Sequence, residues 1–292
     1  MTHSLPAVAD TAMVRLVNWI IQNREKLYHR PPRHAGQAES LYLLAFSLCH
    51  TFTWKDDIED LEEAIVLFRS SLDLRPAGHP DRYWSLYSLA GCLSDLYHTL
   101  VRPPDLEEAI TLARAALECC PEDHVRRMYS LDLLAICLVD QYDNHGSIAD
   151  LEEAITLLRA ALELQHPSGH SQAPSYNLAE YLRKRFLKLN TNADIDEAIS
   201  LHRYVLDLRT EGHPGRSLSL HQLALCLKER YRKQGSIANL EEAIRLGRAA
   251  LELRPPGYVG RVVTLYNLAE DLRSRFLKIG VNGDLHQEIS EN

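Results

Sequence analysis

Several common signatures of enzymes and of secreted proteins are missing from this sequence of 292 residues. It contains neither a glycine-rich phosphate-binding loop nor a nucleophile elbow, so no motif points to nucleotide-dependent or hydrolytic chemistry. Residues 1–10 lack a basic stretch followed by a long apolar run, and no segment of the chain approaches about 18 uninterrupted apolar residues. We therefore expect no signal peptide and no membrane-spanning helix.

An excess of positive charge is also missing. The chain has 32 lysine and arginine residues against 40 aspartate and glutamate residues, which gives a formal net charge of −8 and a pI near 6.0. Proteins that bind nucleic acids usually carry a basic face or domain, so this acidity argues against a nucleic-acid partner. Hydrophobic residues make up 46% of the chain, which is enough for a continuous core and argues against disorder.

Metal-binding and disulfide patterns are missing as well. No cysteine belongs to a C-x-x-C pair, and no pair of histidines stands at zinc-ligand spacing beside one. We therefore expect no metal and no other cofactor, and we interpret the chain as a reduced, cytoplasmic protein. The six cysteines are Cys49, Cys92, Cys119, Cys120, Cys137 and Cys226.

The sequence does contain a repeat of about 45 residues. The phrase Asp-Leu-Glu-Glu-Ala-Ile begins at Asp60, Asp105 and Asp150, and it returns in altered form at Asp194, Asn239 and Asp284. A second phrase, Leu-Ala-x-x-Leu, has its alanine at Ala45, Ala90, Ala135, Ala179, Ala224 and Ala269. Two independent phrases that keep the same register six times show that the chain is a repeat array.

Each phrase predicts a helix. The acidic phrase places Asp or Asn three residues before Glu, as in Asp60 with Glu63, which is the spacing of a capping box. Apolar residues follow at intervals of three and four, and prolines such as Pro76 end the stretch. The small alanine of Leu-Ala-x-x-Leu lets a second helix approach closely. Each repeat is therefore two antiparallel helices that stack on their neighbours to bury their apolar faces.

These patterns predict an all-α chain without strands. We expect an N-terminal tail and capping helix over residues 1–30, with the helix at about 12–29, and a repeat array over residues 31–283. The helix pairs are predicted at 34–74, 80–119, 124–165, 171–209 and 214–254, followed by one further helix at 259–279. Residues 284–292 are predicted to be the truncated start of another helix. Such a stub would leave an apolar face uncovered, which predicts self-association.

The second helix of the repeat resembles that of tetratricopeptide repeats (TPR). Ala64, Phe68 and Pro76 match the family pattern A-x3-F…P, and the alanine-to-proline spacing recurs from Ala109 to Pro121 and from Ala243 to Pro255. The family repeat has about 34 residues, so this repeat is longer. Its length is similar to that of kinesin light chain repeats. Its phrases resemble fungal arrays of the form DLEEAI…ALEL-P-GHPDR…SLxNLA that are often found with caspase-like CHAT domains.

This resemblance implies a fold and a function. The fold would be a right-handed α-solenoid of stacked antiparallel helix pairs, a TPR-like superhelix. The function would be that of a non-enzymatic scaffold that binds a peptide segment or a protein domain on its concave surface. The alternative is a sensor or regulatory repeat region of a larger CHAT-type protease or defence protein whose effector domain is absent from this sequence. RNA reading by helical repeats is disfavoured by the acidity and by the period of 45.

The resemblance also implies where a partner would bind, because the first helix of each TPR hairpin lines the concave surface. The positions three residues before the repeated alanine are Tyr42, Tyr87, Asp132, Tyr176, His221 and Tyr266. Tyrosine is enriched in binding surfaces, although these rings could instead pack between adjacent first helices. The next position carries Asn177, Gln222 and Asn267, amides that could grip a peptide backbone or could simply be exposed polar side chains.

Other recurring residues favour structural roles. Arg82, Arg127, Arg216 and Arg261 each precede a repeated alanine by eight residues, which indicates a contact between repeats. Basic clusters such as Arg183-Lys184-Arg185 could form a stripe for an acidic partner. More simply, they could complement the negative end of their own helix and the acidic start of the next one. Cys92, Cys137 and Cys226 follow the alanine by two residues and are interpreted as small core residues.

Overall fold

The structure is a computed structural model of the chain. It describes residues 19–25, 27, 36–55, 57–120, 125–164 and 172–290, and of residues 54–55 and 279–290 only the backbone is described. Within these ranges every regular element is helical and no strand occurs, as the two phrases predicted. The first helix, α1, is described at residues 19–25 and 27, and the rest of the helix predicted at 12–29 lies outside the described residues.

The chain divides into two compact units, Met1–Gln165 and His166–Asn292. Unit 1 contains three helix pairs: α2 (Gln37–Lys55) with α3 (Ile58–Asp73), α4 (Arg82–Leu100) with α5 (Pro103–Glu118), and α6 (Val125–His145) with α7 (Ile148–Glu163). Unit 2 contains two pairs, α8 (Ala173–Leu189) with α9 (Asn192–Leu208) and α10 (Arg216–Gln234) with α11 (Ile237–Glu252), and then α12 (Arg261–Ser290). Within each unit, consecutive hairpins pack against each other.

Small residues let the two helices of a hairpin approach closely. Ala90 of the first helix α4 and Ala109 of the second helix α5 are both completely buried. Large apolar residues of the same phrases, such as Leu93 and Leu106, fill the space beside them. The equivalent alanines with no exposed surface are Ala45, Ala64, Ala135, Ala154, Ala179, Ala198 and Ala243.

The second helix of each hairpin begins two residues before its acidic phrase, and its N-cap residue lies three residues before the phrase. The N-cap residues are Asp57, Arg102, Ser147, Thr191 and Ser236. Asp60 therefore lies in the first turn of α3, where it accepts a hydrogen bond from the Thr51 hydroxyl of α2 at 2.6 Å. The predicted capping boxes, such as Asp60 with Glu63, are wrong. The residues before each phrase can themselves start the helix, and the first residue of the phrase then bonds the first helix of its own hairpin at Asp60, Asp194 and Asn239.

The glutamate at the fourth position of the phrase joins neighbouring hairpins instead of closing a capping box. Arg69 of α3 donates to Glu108 of α5 at 2.6 Å, and Arg203 of α9 donates to Glu242 of α11 at 2.9 Å. These ion pairs are largely exposed, so each one contributes at most about 1 kcal/mol to stability. Their role is mainly to set the register between second helices.

The predicted contact between repeats is confirmed for three of the four arginines. Arg82, Arg216 and Arg261 each donate from Nη1 to the backbone carbonyl of the arginine seven residues earlier. Those carbonyls lie at the ends of second helices, where backbone acceptors have no partner inside the helix. The first residue of each following helix thus satisfies the end of the helix before it.

The last helix departs from the prediction. α12 continues without interruption from Arg261 to Ser290, so the end expected near residue 279 and the separate helix expected at 284–292 are not observed. The turns inside three earlier hairpins contain a residue in the left-handed region followed by a serine or threonine, at Gly146, Asn190 and Gly235. At the position equivalent to Gly146, α12 has Gly280 followed by Val281, and the helix runs on.

Candidate functional site

In unit 1 the predicted tyrosine row packs between consecutive first helices. Tyr42 of α2 is half-buried, and its hydroxyl lies 3.2 Å from Oγ of Ser88 on α4. Its ring centroid lies 5.4 Å from that of Phe68, and the Arg75 guanidinium covers the ring at 5.1 Å. Burial raises the pKa of Tyr42, and the hydrogen bond to Ser88 lowers it by less, so the pKa stays above its ordinary value. Tyr42 therefore acts mainly as a spacer between two hairpins.

Tyr87 of α4 takes the same position one hairpin later. Its ring stacks on that of Tyr83, with centroids 5.8 Å apart and an interplanar angle of 19°. Burial, with a smaller effect from the Asp132 carboxylate, raises the pKa of Tyr87 to about 12. Asp132 is the residue in the same register on α6, so this pair also spans two first helices.

In unit 2 the row continues with Tyr176 and His221. The Tyr176 ring meets His202 edge to face with centroids 5.5 Å apart. Burial raises the pKa of Tyr176 to about 12, and the nearby Gln222 side chain opposes the shift. His221 is 7% exposed, and its Nδ1 lies 3.3 Å from Oγ1 of Thr264 on α12. Burial, reinforced by the charge of Arg254, lowers the pKa of His221 to about 4, so the ring is neutral at pH 7.

Tyr266 of α12 differs from the other members of the row. It is 66% exposed, whereas its counterparts on earlier first helices lie against the next first helix of their unit. Val262 and Val263 on the same helix are also exposed. Packing between first helices is therefore the structural role of Tyr42, Tyr87, Tyr176 and His221, and Tyr266 keeps an open ring.

The predicted amide row lies on the three first helices of unit 2 and is half-buried. Asn267 accepts from Nζ of Lys228 at 3.2 Å and donates to the carbonyl of Val263 at 3.0 Å. Gln222 lies near Tyr176, and among the described residues its buried Oε1 has no hydrogen-bond partner. Asn177 on α8 also takes part in interactions with other groups. The row therefore contains one buried acceptor, Oε1 of Gln222, that receives no hydrogen bond from the described residues.

Sequence reasoning missed a buried ionic cluster beside this row. Oε1 of Glu180 lies 3.0 Å from Nε2 of His202, which has no exposed side-chain surface, and Arg183 approaches Glu180 at 3.5 Å. Burial alone would raise the pKa of Glu180, but the bonds and charges of His202 and Arg183 outweigh it and hold that pKa below its ordinary value. The sequence pattern hardly indicates this cluster, because Glu180 and Arg183 resemble ordinary polar residues on the surface of a helix.

A second buried pair lies between α10 and α12. Nζ of Lys228 is 3.5 Å from Oδ1 of Asp271, and each side chain is 5% exposed. That separation makes an ion pair, whereas the hydrogen bond of Lys228 goes to Asn267. Burial raises the pKa of Asp271 to about 6, and Lys228 opposes the shift. The inner helices of unit 2 therefore hold a partly desolvated set of charges.

The basic clusters at the ends of first helices serve their own hairpins. Arg185 donates to Asp194 at 2.7 Å, and Arg230 donates to Asn239 at 2.7 Å. Both acceptors lie in the first turn of the next helix, so the structural interpretation of these arginines is confirmed. A stripe for an acidic partner is not required to explain them.

The histidines and cysteines do not form a metal-binding group within the described ranges. No group of three or more His, Cys, Asp or Glu side chains there could hold a metal ion. His79 and His213 each accept a backbone N–H two residues on, so both act in turns. In the part of the chain that the structure describes, no helix combines the length and apolarity needed to cross a membrane.

Comparisons with known proteins agree with the geometry. The family model described as tetratricopeptide repeat matches residues 127–168, which span the α6–α7 hairpin. A search of curated protein sequences found no significant match. One repeat of the array is therefore recognised directly from its sequence.

Solved structures extend the likeness along the chain. A thermophilic TPR protein from Thermus thermophilus is 18% identical with a TM-score of 0.52, over 80% of this chain and 99% of that chain. The TPR-like repeats of a putative kinesin light chain from Podosopora anserina are 21% identical with a TM-score of 0.50, over 73% and 96%. Human IFIT1, solved as a dimer with PPP-AAAA, is 17% identical with a TM-score of 0.51, over 86% and 49%. The predicted all-α fold of stacked, TPR-like helix pairs is confirmed.

Proposed function

We propose that this chain is a non-enzymatic protein-interaction scaffold and that it binds an extended peptide segment along the first helices of unit 2. The observation that carries the proposal is the row of Asn177, Gln222 and Asn267, in which the buried Oε1 of Gln222 lacks a partner among the described residues. A buried acceptor without a hydrogen bond is costly. A peptide N–H placed there would satisfy it.

The surroundings of the amide row suit a peptide better than an apolar ligand. Tyr266 presents an open aromatic ring on α12, and aromatic rings anchor many protein interfaces. Glu180 is paired with Arg183 and Lys228 with Asp271, so neither sign of charge is in excess beside the row. These features support a segment of a protein partner as the ligand.

A polyanionic ligand is the competing class, because human IFIT1 was solved with PPP-AAAA. The net charge of −8 opposes the approach of such a ligand. The arginines that would be needed, such as Arg185 and Arg230, are already paired with residues of their own hairpins. A protein partner is therefore the stronger proposal.

The binding proposal predicts a loss of affinity in a combined Asn177→Ala/Gln222→Ala/Tyr266→Ala variant. Peptides selected from a random library on the wild-type protein should bind this variant at least about tenfold more weakly, which corresponds to about 1.4 kcal/mol or more. Isothermal titration calorimetry measures the difference. Circular dichroism checks that the variant keeps its helical content.

The matched control is Tyr204→Ala, which removes a half-exposed tyrosine from the second helix α9. It should leave peptide affinity unchanged. Equal affinity of the combined variant and wild type would rule out the amide row as the binding site. Tight binding of a triphosphorylated oligoadenylate with no selectable peptide would favour the polyanionic class.

We also propose that the exposed face of α12 mediates self-association with a second copy of the chain. Phe276 is 75% exposed, whereas the aromatic residues in the same register, Tyr142 and Phe186, are 6% and 5% exposed beneath the second helix of their hairpins. No paired second helix follows α12 in the described residues. Two copies of α12 can cover the same face by pairing symmetrically.

Self-association predicts a concentration-dependent mass in multi-angle light scattering. The wild-type mass should rise above the monomer value of 33.2 kDa as concentration increases, and a Val262→Ser/Phe276→Ser variant should stay closer to it. Val66→Ser removes a 60% exposed valine from α3 and should behave as the wild type. A constant monomer mass for the wild type over a wide concentration range would contradict the proposal.

A further inference from the structure

Consecutive first helices meet at one recurring pair of positions. The residue four places after the repeated alanine of one first helix faces the residue two places after the alanine of the next, always 43 residues along the chain. In unit 2 this pair is Lys228 with Asp271, an ion pair at 3.5 Å. Between α4 and α6 it is Ser94 with Cys137, where the Ser94 hydroxyl lowers the pKa of the Cys137 thiol against the larger effect of burial.

Between α2 and α4 the same pair of positions holds two cysteines. Sγ of Cys49 lies 2.6 Å from Sγ of Cys92, and no disulfide joins the two residues in the structure. Cys49 is half-buried and open to small solutes, whereas Cys92 is 4% exposed. The sequence alone does not single this pair out, because a separation of 43 residues matches no local cysteine motif.

We infer that Cys49 and Cys92 form a reversible disulfide that locks the first two hairpins of unit 1 together in response to an oxidant such as hydrogen peroxide. The pair lies on two helices that already pack against each other, so the bond forms by a small side-chain movement. Cys119 and Cys120, adjacent in sequence, lack such a geometry for an ordinary disulfide. Cys137 and Cys226 face non-cysteine residues at the corresponding position.

The chemistry balances with peroxide as the two-electron oxidant. The Cys49 thiolate attacks one oxygen of hydrogen peroxide, the O–O bond breaks, and hydroxide leaves as Cys49 becomes a sulfenic acid. The Cys92 sulphur then attacks the Cys49 sulphur, the S–O bond breaks, and the S–S bond forms. The two thiol protons end on the two departing oxygens, so two thiols and one peroxide give one disulfide and two waters. A dithiol reductant reverses the reaction by thiol–disulfide exchange.

The disulfide would fix the distance between α2 and α4. The same interface contains the bond between the Tyr42 hydroxyl and Ser88, so the crosslink acts directly on the spacing that the tyrosine row sets. Sliding or opening of the first hairpin relative to the second requires these helices to separate. Oxidation therefore removes that motion from unit 1, while the reduced form keeps it.

The experiment exposes the full chain to hydrogen peroxide and counts the remaining thiols with a maleimide reagent after denaturation. A Cys119→Ser/Cys120→Ser background removes the vicinal cysteines from the count, and the native sequence is run in parallel. Oxidation should remove two thiols, and peptide mapping without reductant should find Cys49 linked to Cys92. Adding Cys92→Ser should abolish the loss, whereas adding Cys137→Ser should not.

Hydrogen–deuterium exchange separates a built-in pair from incidental oxidation. The amides of α2 should exchange more slowly in the oxidised protein, and dithiothreitol should restore the original rate. Ser94→Cys combined with Cys49→Ser provides a gain-of-function check, because it moves the crosslink to the sulphur of Cys137, one hairpin further on. Full retention of thiols in the native pair, linkage of Cys49 to other partners, or unchanged exchange in α2 would overturn the inference.

Discussion

Replacing Arg254 with leucine should lower the free energy of unfolding by about 3 kcal/mol, because it leaves several buried hydrogen-bond acceptors without a donor. Arg254 lies two residues after the last residue of α11 and is 3% exposed. Its Nη1 donates to the carbonyl of Gly260 at 3.0 Å and to the Thr264 hydroxyl. Its Nη2 donates to the carbonyl of Ser217 on α10 at 3.3 Å.

The effect should be large because one guanidinium joins three parts of unit 2. Ser217 belongs to α10, Thr264 to α12, and Gly260 to the turn between α11 and α12. Leucine fills part of the volume and donates no hydrogen bond, so the carbonyls stay desolvated and unpaired. Arg254→Lys should be intermediate, because it keeps the charge and loses the planar fork of donors.

Urea unfolding followed by far-ultraviolet circular dichroism measures the change, and Arg248→Leu is the matched control. Arg248 lies on α11, near its C-terminal end, and its side chain is exposed. That substitution should leave the unfolding midpoint close to the wild-type value. A midpoint for Arg254→Leu no lower than that of Arg248→Leu would show that this buried network contributes little.

Two other hairpins have an arginine at the position equivalent to Arg254. Arg75 donates to the carbonyl of Asp81 and to the Ser85 hydroxyl, and Arg209 repeats both contacts in unit 2. In the second hairpin of unit 1, Cys120 occupies the position equivalent to Arg75. Its thiol interacts with the Ser130 side chain but carries no positive charge. The hairpins of this chain therefore share the same turn, but the polar contacts that hold it differ from one hairpin to another.

The fold could be predicted from sequence because two phrases repeat in phase, and repetition carries more information than any single helix signal. The pairing of helices follows from this repetition together with the buried alanines, such as Ala90 and Ala109. Helix starts could not be predicted as well. An acidic residue before an apolar run resembles a cap, and only the structure shows that Asp60 bonds Thr51 from inside the helix.

The positions of the candidate site residues could be predicted from the sequence, but the solvent exposure of their side chains could not. Register placed Tyr42, Tyr87 and Tyr176 on the first helices, but the residues that cover them lie about 45 positions further on and contribute nothing to a local pattern. The pairing of Glu180 with His202 is invisible for the same reason, since it joins two helices through side chains 22 residues apart. Comparison of equivalent positions in neighbouring hairpins, rather than of neighbouring residues, is the signal that would have found these contacts.

Ala135→Leu should destabilise unit 1 by roughly 1–3 kcal/mol, because the added atoms must enter a fully packed space. Ala135 is completely buried where α6 meets the rest of its hairpin, and Ala154 on α7 is equally buried. Packing at interior density leaves no room for an isobutyl group. The helices must move apart, and the large apolar residues beside the alanines then lose contact.

The chain contains its own control for this test. Ala269 holds the same register position on α12 but is exposed, so Ala269→Leu should change stability little. The three tryptophans, Trp19, Trp54 and Trp84, all belong to unit 1, so their fluorescence reports its unfolding while circular dichroism reports both units. Ala135→Leu should shift the fluorescence transition to lower urea concentration, and Ala269→Leu should not. Equal shifts for the two variants would mean that close approach of paired helices does not depend on the small residue at this position.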